Sequence, residues 1–274
     1  MKHIACLLLI VALCMGLRAQ QTTVIPGSFV AGNASVTHCT EWLPFHTPAA
    51  LAAQQHIGIQ LLYENRYFTK ELANKAVNVW FPTKALNVGV AFSHFGYASY
   101  NEMLAAVTMA RYLGKRVRLG IEFDYYTAYF AAVQRYRGTV TAQVGLQVDI
   151  TETLQIAVNT FNPTFSRVKA EMVEKRLPTT FAIGMRYCIK NTVDWLVQID
   201  KEVQSPLRWA TGFEYAPVKQ MMIRLGVYGM KSFVPTLGVG IRFGGFAFDV
   251  SADYTNPLGF SMLGALRYQF GSCD

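Results

Sequence analysis

Glu122, Asp124 and Asp149 are the residues whose types and spacing come nearest to catalysis. Paired carboxyls can divide acid and base roles between them when their surroundings differ. An interior network of ion pairs accounts for the same three acids without any reaction, and it is the preferred reading. His38 and Cys39 beside Glu41 are donor types of a metal site. The remaining mature histidines, His46, His56 and His94, are scattered, so residues 38–41 are read as an ordinary polar segment. GVGIRFGG (238–245) has closely spaced glycines, but its spacing misses the dinucleotide fingerprint and a strand runs through it. Neither a G-x-S-x-G elbow nor an H-E-x-x-H helix occurs. No catalytic, cofactor-binding or metal-binding residue is assigned, and the chain is expected not to be an enzyme.

What positions these residues is set by an unusual composition. The 274-residue chain is 52% hydrophobic and only 15% charged, against about 25% charged in an average soluble domain. Its opening, MKHIACLLLIVALCMGLRAQ, has a basic start at Lys2, an apolar run from Ile4 to Leu17 and a small residue at Ala19. Residues 1–19 are therefore expected to be a secretory signal peptide. Their loss removes Lys2 and Arg18 and takes the formal charge from +8 to +6. The basic residues are dispersed and the chain is exported, so nucleic acid is not an expected partner. Cys39, Cys188 and Cys273 are three in number and widely spaced, which gives neither a disulfide framework nor metal-ligand spacing. Beyond the leader no apolar run approaches the ~18 residues of a membrane helix. High apolar content without such a run is what a transmembrane barrel produces, because each strand spends alternate residues on lipid.

Residues 20–55 show no sustained alternation and are expected to form a periplasmic or plug-like segment. From residue 56 to 270 the chain divides into fourteen period-two segments, followed by a short extension, 271–274. The stretch VRLGIEFDYY (117–126) shows the pattern: Val117, Leu119, Ile121, Phe123 and Tyr125 share one parity, Arg118, Glu122 and Asp124 the other. Connections drawn between the segments alternate long and short, as expected of outer loops and periplasmic turns. The longest, 162–178, contains VKAEMVEK, which reads as a turn or two of helix and as the surface best suited to a partner. Aromatics near the segment ends, among them Tyr63, Phe95, Tyr97, Tyr125 and Tyr126, are expected to form interfacial girdles. The predicted fold is all-β: a transmembrane antiparallel β-barrel of about 14 strands with an N-terminal plug.

The polar parity carries the candidate interior. It supplies Arg118, Glu122, Asp124, Asp149, Arg186, Arg208, Glu214, Arg224, Arg242, Asp249 and Asp253 as residues expected to line the lumen. Glycine recurs on this parity, at Gly89, Gly120, Gly145, Gly184, Gly212 and Gly226 among others. A strand glycine weakens the sheet unless something approaches its backbone closely, and a filled lumen supplies that reason.

GNASV (32–36), TPAALA (47–52), LLYENRY (61–67), FGYASYNE (95–102), MARYLGKRVRLGIEFDYY (109–126), LPTTFAIGMRY (177–187), GFEY (212–215), IRLGVY (223–228) and NPLGFSMLGALRYQF (256–270) run through the mature chain in order. Through them the chain resembles the PorV/PorQ-like outer-membrane barrels of Bacteroidetes, themselves similar to the FadL fatty-acid transporters. The resemblance implies a fourteen-stranded barrel in the outer membrane, in contact with its lipid. It also implies a non-enzymatic role as a partner of other outer-membrane or secretion-system proteins, in a type IX-like system for secretion or surface attachment. The alternative is a FadL-like channel whose ligand is a small hydrophobic solute. No cofactor is implied.

Overall fold

The computed structural model describes residues 24–38, 40–131, 135–170, 173–230 and 232–271. The expected signal peptide, Cys39, and the extension beyond Gly271 with Cys273 lie outside them. Strands β1 (Gly58–Asn65), β2 (Ala73–Phe81), β3 (Asn87–Tyr97) and β4 (Tyr100–Leu113) form the first antiparallel run. β5 (Val117–Phe130), β6 (Arg135–Asp149) and β7 (Leu154–Phe161) extend it. A separate hairpin, β8 (Arg167–Ala170) with β9 (Val173–Arg176), interrupts the sequence. The wall resumes with β10 (Thr180–Ile189), β11 (Val193–Glu202), β12 (Leu207–Val218) and β13 (Met221–Gly229). β14 (Phe233–Phe243), β15 (Phe246–Thr255) and β16 (Gly259–Gln269) complete it. Among the described residues, fourteen strands form one closed barrel, each hydrogen-bonded to its sequence neighbours, with β7 joined to β10 across the hairpin. Closure comes from β1 against β16, from Gly58 opposite Gln269 to Asn65 opposite Met262. A closed sheet has no edge, which lipid requires because it offers no hydrogen bonds.

The period of two decides which side meets lipid. Ile121, Phe123 and Tyr125 are exposed, whereas Arg118, Glu122 and Asp124 are buried. The same alternation holds in β10, where Phe181, Ile183 and Tyr187 face outward and Ala182 is buried. In β14 Leu237, Val239, Ile241 and Phe243 are outside. A continuous exposed apolar surface on a closed antiparallel barrel is the lipid-facing band of an outer-membrane protein.

Three expectations are corrected. The connections do not alternate long and short throughout: β3 and β4 are joined by residues 98–99 alone, and β5 and β6 by residues 131–134. Residues taken for loops are strand, since β4, β5 and β6 run 14, 14 and 15 residues, against the ~9–11 that cross the bilayer. These strands keep their ladder beyond the apolar belt, where neither face keeps one character: β5 ends in Thr127, Ala128, Tyr129 and Phe130, and β6 begins with Arg135, Tyr136, Arg137 and Gly138. The expected helical turns at VKAEMVEK are instead the hairpin of β8 and β9. Finally, Phe95 and Tyr126 are not in a girdle: both are buried and packed with Leu104, Val168 and Leu177. Their parity, shared with Ser93 and Asp124 respectively, places them inward.

Ile121 supplies the test of the outward assignment. Ile121→Lys should cost about 2–4 kcal/mol if the residue lies near the bilayer midplane, measured by urea unfolding in lipid vesicles. An unchanged midpoint would invert the two faces.

Candidate functional site

The interior is occupied by the chain's own N-terminal segment. Among the described residues of 24–55 the helical elements are three short 3-10 turns, Ala31–Asn33, Ser35–Thr37 and Pro48–Ala53, and most of these residues are buried. Irregular backbone leaves N–H and C=O groups that a dry interior makes costly to abandon. The inner faces of the strands supply the partners. Val24 O accepts from Asn74 Nδ2 at 2.9 Å and from Ser93 Oγ at 2.6 Å. The Ala31 and Gly32 amides donate to Glu214 Oε1 (3.2 Å) and Thr236 Oγ1 (2.9 Å). The Val36 amide donates to Gln198 Oε1 at 2.8 Å, and Val36 O accepts from Gln147 Nε2 at 2.9 Å. The Phe45 amide donates to Glu122 Oε1 at 3.1 Å, while Phe45 O accepts from Gln143 Nε2 at 3.3 Å. Asn159 Nδ2 donates to His46 O and Asn87 Nδ2 to Leu51 O, each at 2.8 Å.

The inward glycines are the clearances for this segment. A Cβ at Gly120 would stand 2.3 Å from the carbonyl carbon of Pro48, and one at Gly226 would stand 2.2 Å from the Gly32 amide nitrogen. At Gly212 it would meet Ala31, and at Gly89 the ring of Trp42. Trp42 in turn lies edge-on to Trp80, centroids 6.2 Å apart, with Trp80 over Gly58.

Ion pairs fasten the same segment. Glu41 is fully buried and accepts from Arg242 Nη2 at 3.1 Å and Arg267 Nη2 at 2.9 Å, with His38 Nε2 3.5 Å away. Burial alone would raise its carboxyl. Arg267, then His38 and Arg242, outweigh that and hold it well below the usual carboxylate range. Burial also pushes His46 below its ordinary value, against a hydrogen bond to Pro26 O.

The sequence-derived residues are placed as follows. Arg118 is buried and ion-paired with the half-exposed Asp149. Arg186 meets Asp194 at 2.9 Å. Arg208 pairs with Asp200, donates to Asn33 O at 3.0 Å and lies over the Tyr228 ring. Arg224, 1% exposed, bridges Glu214 at 3.2 Å and Asp249 at 2.5 Å. Arg242 reaches Glu41, and Asp253 accepts from the Tyr228 hydroxyl at 2.9 Å. Glu122 and Asp124 are buried side by side on β5. Arg267, Glu102 and Lys175 belong to the same interior and were missed. Arg267 lies between the outward Leu266 and Tyr268, so its parity marks it. Lys175 on β9 folds in to pair with buried Glu102, beside the Tyr100 and Tyr126 rings, and no local pattern announces that. Among the described residues no three His, Cys, Asp or Glu side chains converge as a metal site.

A cavity of about 230 Å³ lies at the end of the barrel opposite the chain's entry and exit. Ile25, Phe45, Phe161, Ala182 and Met230 supply apolar walls, and His46, Asn159 and Arg208 polar ones. A second space opens at the other end beside Gln54, Asn87 and Tyr112. Val36, Phe45 and His46 of the segment border the first space, and Ala52 and Gln54 border the second.

This closed antiparallel wall has counterparts among solved structures. A Pseudomonas aeruginosa FadL homologue superposes with a TM-score of 0.60 at 10% identity, over 90% of this chain and 98% of the other. The toluene transporter TodX of Pseudomonas putida gives 0.57 at 7% identity, over 90% and 95%. The CymD monoaromatic hydrocarbon channel gives 0.59 at 9% identity, over 82% and 91%. The fold is that of a FadL-like outer-membrane barrel. Its place is accordingly the bacterial outer membrane. No protein-family model matches the chain, and no curated protein sequence does. At such identities the likeness is one of fold, and PorV- or PorQ-type specificity is no part of it.

Two outcomes are expected from this geometry. Gly120→Leu drives a side chain into the Pro48 backbone and should destabilise by about 1–3 kcal/mol. Limited proteolysis should then cut within residues 24–55 while the barrel keeps its heat resistance. Acid should loosen the same segment in two stages. The folded state binds a proton at His46 less readily than the unfolded chain does, so stability falls as pH drops below about 6.5. The Glu41 contribution is full above its unfolded value near 4.5 and disappears only as pH falls through its much lower folded value. Protection of the segment against protease, followed from pH 8 to pH 3, reads both stages.

Proposed function

We propose that this protein is an outer-membrane channel for small hydrophobic solutes. The observation that carries the proposal is the 230 Å³ cavity at the outer end, walled partly by Phe45 and Ile25 of the N-terminal segment and partly by Phe161 and Ala182 of the barrel. A space of about 150 Å³ already accepts benzene, so a monoaromatic ring fits by volume, against Ile25, Phe45 and Phe161 and away from Arg66, Asp200 and Glu202, which also line the space. The charges of the interior do not oppose this use, because most of them are spent on one another or on clamping the segment. Passage to the space beside Gln54 requires residues 36–51 to yield. The solved channels described as carrying monoaromatic hydrocarbons share the fold and support the proposal by analogy.

A second role, as a partner in a secretion or surface-attachment system, follows from the family resemblance in the sequence. It is favoured by Phe68, Phe165 and Phe233, which stand exposed on or beside the outer connections. Affinity purification from native outer membrane, with stoichiometric recovery of another envelope protein, would support it.

The channel is tested by uptake of labelled toluene into porin-deficient cells producing the protein. Uptake should exceed that of vector controls and fall at least several-fold in Ala182→Phe, which fills the cavity, with the folded barrel retained on gels. Equal uptake in producing and control cells would remove the channel.

A further inference from the structure

Among the described residues, buried carboxylates have cationic partners, with two exceptions. Glu41, Glu64, Glu102, Asp200, Glu214 and Asp249 are buried, and each pairs with an arginine or a lysine. Glu122 and Asp124, 0% and 1% exposed, form no ion pair among the described residues. Two residues apart on β5, they project inward together, and their carboxyls meet each other.

The unpartnered atoms here are oxygens. Glu122 accepts from the Phe45 amide and from the Thr108 hydroxyl. Neither oxygen of Asp124 accepts a hydrogen bond from another residue. Across the ladder Gln143 stands directly opposite Glu122, and Thr141 opposite Asp124. Gln143 is fully buried and spends its Nε2 on Phe45 O, which leaves Oε1 without a partner.

Two carboxylates in a dry interior cannot both stay charged without a counter-charge. A proton shared between them would occupy one Asp124 oxygen at most, leaving the other and Gln143 Oε1 unpaired. A cation engages all three. The donors include no nitrogen or sulfur, which argues against the zinc and copper classes and fits a hard cation. Calcium accepts irregular sets of six to eight oxygens with water completing the shell, whereas magnesium demands a strict octahedron.

We propose that Asp124, Glu122 and Gln143 Oε1 form a calcium-class cation site in the barrel interior. It joins β5 and β6 and, through the Phe45 amide and carbonyl, fixes the N-terminal segment between them. The site does not depend on the channel reading, since a bound ion would brace the segment whatever crosses or docks on the barrel.

The test uses full-length protein refolded into detergent free of lipopolysaccharide, which binds calcium itself. Wild type should retain about one calcium per chain after desalting. Its heat-induced unfolding should shift upward by several degrees in millimolar calcium relative to chelator. Asp124→Asn should retain no calcium and show no shift, while unfolding in chelator no earlier than wild type. Should that variant fail to fold, wild type alone decides through terbium. Luminescence sensitised by nearby tyrosines, saturating at one ion per chain and displaced by calcium, supports the site. Wild type that holds no ion and shows neither a calcium shift nor a terbium signal overturns it, and the pair then carries a proton.

Discussion

An irregular peptide segment buried where water does not reach must have its backbone groups hydrogen-bonded by something else. The interior of this barrel is organised around that requirement. Residues 24–55 do not form a helix or a strand that would satisfy them internally, so the inner wall carries the matching groups. Asn74, Asn87, Asn159, Gln143, Gln147 and Gln198 each address a named backbone atom of the segment. Glycines stand where the segment's backbone comes too near for any side chain, as at Gly120 and Gly226. Wall and segment are therefore one structural unit, although they behave differently in sequence.

The charges follow from the same enclosure. A buried ion pair seldom gains much over an apolar substitute, but losing one partner is expensive, about 3–5 kcal/mol, because the other is left uncompensated. Such pairs specify position more than they add stability. Glu41, held by Arg242 of β14 and Arg267 of β16, ties the segment to strands near the end of the chain. Arg224, between Glu214 and Asp249, cross-links β12, β13 and β15 from within. Together with Lys175 and Glu102 at the outer end, these pairs set the shape of the space that remains.

How much of this could be seen in sequence depends on the interaction concerned. A face toward lipid is uniformly apolar, so strands such as β5, β10 and β14 announce themselves by alternation. Where β5 and β6 pass beyond the lipid, at 127–130 and 135–138, neither face keeps one character and the signal stops, although the ladder continues. The hairpin of β8 and β9 escaped notice because its four-residue strands carry no period long enough to distinguish from a helical turn. The inward glycines were visible as a parity, and close approach could be inferred from them. What approached could not, because residues 24–55 have no period of their own and some of their contacts are with residues more than two hundred positions away. Phe95 and Tyr126 show the opposite failure: residue type suggested an interface, while the parity already placed them inside.

The segment also imposes an order on assembly. Its sockets are distributed over β3, β5, β6, β12, β13 and β14, so no partial sheet presents them all. This segment, synthesised before the wall, can therefore dock fully only after most of the wall exists. Closing the wall brings together residues more than two hundred apart, at Gly58 and Gln269. Such long loops carry their entropic cost before any contact repays it. Until that closure, Trp42, Leu51 and their neighbours remain exposed apolar surface next to unoccupied glycine clefts. A nascent chain of this kind needs shelter in the periplasm until β1 meets β16, and its N-terminal residues are the last to become native.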